Sequence, residues 1–167
     1  LELIDGEIVM TPSPVPRHQV ISVRLTAEFN DAIARRGRGL VLAAPLDVWL
    51  DEANIVQPDL IVLLNDRLHQ VTDRLIEGPP SLLVEIVSPT SRVRDRSLKR
   101  TRYARFGVPE YWLVEPEANA IVVHAAPDGT DYRAVSIETG GVRAVTVPDL
   151  TVDLAALFAP LLGGERR

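Results

Sequence analysis

The chain has 167 residues, a net charge of -5, 46% hydrophobic and 25% charged residues, and no cysteine. It is long enough to bury one substantial core, and the missing cysteine excludes disulfides, thiolate catalysis and cysteine-bound zinc. His18, His69 and His124 show no paired ligand spacing, and no apolar run approaches a membrane span, so a single domain over residues 1–167 in the cytoplasm, without membrane contact, is the expectation.

The opening LELIDGEIVM predicts two short strands joined by Asp5-Gly6, a dipeptide suited to a tight hairpin because both positions tolerate positive φ. From about Pro16 to Arg36, Ile21, Leu25, Phe29 and Ile33 recur at helical spacing, and Gly37 marks the stop. LVLAAPLDVWL and PDLIVLL then predict two extended runs separated by a polar DEAN turn, and SLLVEIV a third central strand. A second helix is predicted from about Arg92 to Phe106, capped by Thr90 or Ser91 and closed by Gly107. EYWLV, AIVVHAA, YRAVSIE and VRAVTV follow as strands, and DLAALFAPLL as a short terminal helix. The sum is α+β, a mixed sheet flanked by two main helices.

Glu85 is the residue in this pattern that demands a partner, because an ionised carboxylate in a dry strand costs several kcal/mol unless it is paired, protonated or bound to a metal. Alternation places it on one face with Leu83 and Val87. Asp59 opens the preceding central strand just after Pro58, and if the two strands are neighbours these carboxylates converge at one end of the sheet. At about 4 Å they would repel by roughly 4 kcal/mol at an effective dielectric near 20, so they would share a proton or hold a cation. An oxygen-rich site with few protein ligands suits Mg²⁺ or Mn²⁺ and phosphodiester chemistry. Lys99 supplies a candidate fixed charge for phosphate or water.

Each of these residues has an ordinary alternative: an arginine-paired Glu85, a turn residue at Asp59, an i,i+4 surface pair between Asp95 and Lys99, and a surface or capping His18 near the first helix start. Between Arg92 and Arg105 stand seven basic residues against a single acid, which makes Arg92, Arg94, Arg96, Arg100 and Arg102 candidates for nucleic-acid phosphates. No glycine-rich phosphate loop and no glycine-flanked nucleophilic serine is present.

ELIDGEIVMTPSPVPRHQ, VQPDLIVL and LLVEIVSPTSRVRDRSLKRTRYARFGVPEYWLV, in that order over nearly the whole chain, resemble the Uma-two family of restriction-endonuclease-like proteins within the PD-(D/E)XK nuclease superfamily. The resemblance implies a restriction-endonuclease-like α/β core with a metal site at its strand ends. It sets Asp59 at the PD step, Glu85 at the acidic position of the second step, and the Ile86 carbonyl as a backbone metal ligand. Val87 stands where the superfamily usually has lysine, and the resemblance implies that the following helix supplies that amine; Lys99 is the one lysine in the chain. It also implies a further acidic residue from the first part of the fold, for which Glu7 and Glu28 are candidates, and a homodimer as a common arrangement; His18, from its place near the first helix start, is an accessory candidate. The expected function is a Mg²⁺- or Mn²⁺-dependent endonuclease acting on DNA; the alternative is an inactive nucleic-acid-binding or assembly module on the same scaffold.

Overall fold

The computed structural model describes residues 1–9, 14–88 and 95–160, apart from the side chains of Asp95 and Arg96. The elements are β1 (Glu2–Ile4), β2 (Glu7–Val9), α1 (Pro16–Ala32), β3 (Gly39–Ala43), β4 (Val48–Asp51), β5 (Asn54–Val56), β6 (Leu60–Leu64), β7 (Ile76–Glu77), β8 (Leu82–Ile86), α2 (Arg100–Arg105), β9 (Glu110–Glu115), β10 (Ala120–Pro127), β11 (Tyr132–Glu138), β12 (Gly141–Arg143), β13 (Thr151–Asp153) and α3 (Leu154–Leu157). A π-helical turn, Asp95–Lys99, leads directly into α2. Thr90 and Ser91, the predicted caps, lie outside the described residues. Among the described residues no helix is long and apolar enough to cross a membrane.

The first hairpin forms as its turn chemistry demands, with Asp5 at φ 48° and Gly6 at φ 78° and Glu2 opposite Val9. α1 follows from its apolar spacing: Ile21, Leu25, Phe29 and Ala32 are buried along one face. That face lies on a six-stranded sheet ordered β11-β10-β9-β8-β6-β3, where it meets Leu60, Val62, Leu82, Val84, Ile86 and Trp112. Phe29 meets Trp112 edge-on with ring centroids 5.5 Å apart.

The other face of the sheet carries Ile61, Leu63, Leu83, Val87 and Leu113, packed with Val48, Val56, Ile76 and Tyr103. Val48, Val56 and Ile76 belong to a second sheet ordered β2-β1-β5-β4-β7. β8 is therefore covered on both sides, and all five of its residues are buried. β8 and β9 run parallel, with Leu82 beside Glu110 and Ile86 beside Val114. Parallel neighbours require a crossover, and here the crossover includes α2, which brings the basic helix back over the end of β8.

The predicted run Leu40–Leu50 is two strands in different sheets. It breaks at Ala44–Pro45, so β3 pairs with β6 while β4 pairs with β5. Proline cannot donate to a ladder, which is why the run does not pass through one sheet. Within VRAVTV only Val142 and Arg143 are in a strand, β12, and the terminal helix spans only Leu154–Leu157, where Asp153 Oδ1 accepts from Ala155 N at 2.9 Å.

On β10, His124 is 4% exposed and stacks on Tyr111. Burial, helped by the charge of Arg100, pushes its pKa down from 6.5 to about 4. The unfolded chain thus binds this proton more readily, so stability is full above pH 6.5 and falls as the pH drops toward 4. Wild type is expected to lose about 2 kcal/mol more than His124→Gln between pH 7 and pH 5. Urea unfolding of both proteins at the two pH values checks it, and equal losses would contradict it.

Candidate active site

Asp59 and Glu85 stand on neighbouring strands. β6 and β8 pair antiparallel with Leu60 opposite Val84, and one further step of that register sets Asp59 against Glu85. Beyond the last ladder pair, the Asp59 side chain takes over the sheet bonding: its Oδ2 accepts from Ile86 N at 2.6 Å. Its Oδ1 lies 3.2 Å from His18 Nε2, which the first turn of α1 carries to the sheet end. Asp59 is thus oriented through both oxygens, one by each neighbouring element.

Glu85, 4% exposed, faces Lys99. Glu85 Oε1 accepts from Lys99 Nζ at 2.9 Å and from the Tyr103 hydroxyl at 2.7 Å. Lys99 and Tyr103 are one turn apart on the same inward side of the helix. Tyr103 is wholly buried, and this burial, with the charges of Glu85 and Glu2, raises its pKa well above 10. The phenol therefore stays protonated and donates.

A second carboxylate reaches the same ammonium. Glu2 Oε1 lies 3.1 Å from Lys99 Nζ and accepts from Gln57 N at 2.8 Å. Glu2 faces inward because β1 alternates, with Glu2 and Ile4 buried and Leu3 only partly so, and because β1 pairs with β5 just ahead of Gln57. Neither Glu2 nor Tyr103 was among the residues expected from the sequence. The expected donors of a further acid, Glu7 and Glu28, are both exposed.

The arginines divide. Arg92 and Arg94 lie outside the described residues, as does the side chain of Arg96. Arg100 Nε donates to Asp131 Oδ1 at 2.6 Å and its Nη2 to the other oxygen, a bidentate pair with the β10–β11 turn. Arg102 is 8% exposed; it binds both carboxylate oxygens of Asp5 and donates to Asn54 Oδ1 at 3.0 Å. This placement departs from the expectation of a phosphate-facing Arg102, because the guanidinium staples α2 to the first hairpin and the β4–β5 turn. Lys99 is not on the surface: it is 4% exposed while Leu98 beside it is 47% exposed. Burying the ammonium in preference to the leucine is the reverse of what hydrophobic burial selects.

Among the described residues no three His, Asp or Glu side chains form a ready cation cage. At the end of β8, Glu2 and Glu85 share the Lys99 ammonium, with the Gln57 N–H and the Tyr103 hydroxyl holding them, and Asp59 stands on the neighbouring strand, held by the Ile86 N–H and His18. A mixed sheet with α1 on one face, a β–helix–β crossover and acids at its strand ends define a restriction-endonuclease-like fold. The chain belongs to the Uma2 family, described as "Putative restriction endonuclease", whose model matches residues 1–157.

Among solved structures, a "putative nuclease belonging to DUF820" from Anabaena variabilis ATCC 29413 superposes with a TM-score of 0.79 at 18% identity, over 94% of this chain and 88% of that one. The type IIG restriction endonuclease BpuSI matches with a TM-score of 0.44 at 13% identity, over 75% of this chain and 14% of that one, too distant to bear on the site. No curated protein sequence matches.

Proposed function

We propose that the chain is a Mg²⁺- or Mn²⁺-dependent endonuclease that hydrolyses phosphodiester bonds in DNA. The observation that carries this reading is the 2.9 Å contact of Lys99 with Glu85, an amine delivered from the crossover helix where Val87 offers none. Family membership supports nuclease chemistry in general.

The donor chemistry fits a hard cation. Asp59 and Glu85 offer carboxylate oxygen, the peptide between β8 and Val87 offers the Ile86 carbonyl, and no sulfur or paired imidazole competes. Mg²⁺ and Mn²⁺ are commonly held by one or two carboxylates, with water completing the shell, so a closed protein cage is not required. Such an ion, when bound, supplies a water of lowered pKa and neutralises charge on the phosphate.

The residues of the chain have separable tasks in this reading. Asp59 and Glu85 hold the cation, and Glu2 takes the accessory acidic role expected of Glu7 or Glu28. Lys99 presents an ammonium to a phosphate oxygen or to the attacking water. Tyr103 fixes Glu85 by donating to it, and His18 fixes Asp59.

Purified protein is expected to nick supercoiled plasmid with Mn²⁺ or Mg²⁺ and to stop in chelator. Glu85→Ala is expected to leave no cleavage above background in the same gel assay. Cutting that persists in chelator, or survives Glu85→Ala, would overturn the proposal.

A further inference from the structure

We propose that Lys99 is the resident counter-ion of the acidic site, and that a divalent cation enters by displacing its ammonium from between Glu2 and Glu85. The inference rests on the metal-dependent reading above and adds to it how the site is regulated. Lys99 Nζ stands 3.1 Å from Glu2 Oε1 and 2.9 Å from Glu85 Oε1. Both acids are themselves 4% exposed. Each gives the ammonium an oxygen that a second donor already fixes: the Gln57 N–H on Glu2 and the Tyr103 hydroxyl on Glu85. The carboxylates are therefore held where one small cation joins them.

Two buried carboxylates facing each other repel unless a cation lies between them, and Lys99 is that cation in this structure. A divalent ion on Glu85 would meet the ammonium at contact distance, with twice the repulsion of two unit charges. The two cations therefore exclude each other from the Glu2–Glu85 gap. Metal entry moves the ammonium outward on its flexible four-carbon stem, and the same event turns Lys99 from a structural counter-ion into a phosphate-facing one. Lys99 keeps the acids folded together before loading, at the cost of weaker metal binding.

The test needs no DNA. Mn²⁺ is titrated by calorimetry into wild type, Lys99→Met and Arg100→Met, and each is melted with and without Mn²⁺. Lys99→Met is expected to bind Mn²⁺ at least about 10-fold tighter, since the competing charge is gone. Without metal its Tm should fall by roughly 10 °C, the scale of breaking a buried ion pair in a chain of this size, and Mn²⁺ should restore more of it than it adds to wild type. Arg100→Met removes a cation held by Asp131 and should leave Mn²⁺ affinity within about threefold, because a partly exposed charge is screened. Should Lys99→Met not fold, Lys99→Gln, neutral but still able to donate to one carboxylate, is expected to show the same tightening. Mn²⁺ binding by the Lys99 variant that is equal to or weaker than wild type overturns the displacement and leaves the metal reading standing. No Mn²⁺ heat in any of the proteins overturns both.

Discussion

Asp59→Ala is expected to lower metal-dependent DNA cleavage by at least about 10³-fold, the scale of losing a charged group that stabilises the transition state in a desolvated site. It is also expected to cost stability. Asp59 Oδ2 accepts from Ile86 N at 2.6 Å just beyond the end of the β6–β8 ladder, and removing it leaves that N–H without its acceptor, at about 1–3 kcal/mol. The two effects separate in Asp59→Asn. An amide oxygen still accepts from Ile86 N, so thermal melting should stay near wild type, whereas a neutral side chain has lost the charge that attracts a hard cation. Cleavage rates, Mn²⁺ calorimetry and melting curves on the three proteins check this together. An Asp59→Asn protein that cuts within tenfold of wild type would show that Asp59 braces β8 and holds no metal.

Local signals made much of this arrangement legible. Asp5-Gly6 specifies its turn, and the spacing of Ile21, Leu25 and Phe29 specifies the buried face of α1, because both depend on residues close in sequence. Strand alternation set Glu85 on the face of Leu83 and Val87, which is where it lies. Glu2 was not legible in this way. Its partner Lys99 is 97 residues away, and its orientation depends on β1 joining β5 in the second sheet, a pairing no periodicity encodes. Arg102 was misread for the same reason. A basic run reads as a solvated or phosphate-facing surface, and only the fold brings Asp5 and Asn54 to the inward side of α2.

The identity of the group facing Glu85 carries a similar lesson. Desolvation cost requires a partner there but does not choose between a metal ion and an ammonium. The fold supplies the ammonium, since the crossover from β8 to β9 carries Lys99 back to Glu85 Oε1. A signal for Tyr103 did exist in its i,i+4 spacing from Lys99. An amine and a phenol one turn apart, both aimed at one buried carboxylate, become meaningful once the inward face of that helix is known.

Glu110→Ala is expected to be the most destabilising single change outside the acidic site, at about 4 kcal/mol or more, without touching the chemistry. Glu110 opens β9 and is fully buried, yet among the described residues no lysine or arginine is a hydrogen-bond partner. Its charge is held by donors alone: Trp112 Nε1 at 2.7 Å, Val145 N at 3.0 Å, Thr146 N at 2.7 Å and Thr146 Oγ1 at 2.7 Å. Truncation strands the buried Trp112 indole N–H at about 1–3 kcal/mol, removes the acceptor of the part-buried Val145 and Thr146 N–H groups at a smaller cost each, and opens a cavity beside Trp112. Against a total stability of about 5–15 kcal/mol this is a large fraction. Glu110→Gln should cost less, about 2 kcal/mol, since it keeps the volume and one acceptor oxygen but turns an amide donor toward other donors. Urea unfolding followed by tryptophan emission reads both variants, because Trp112 is buried whereas Trp49 is 37% exposed. The rung of β9 occupied by Glu110 pairs with Leu82, at the end of β8 opposite Glu85, so folded Glu110→Ala protein should still bind Mn²⁺ as wild type does. A loss of Mn²⁺ affinity at a temperature where the variant remains folded would mean that the acidic site draws its geometry from the far end of the sheet, and not from the helix, hairpin and strand end that surround it.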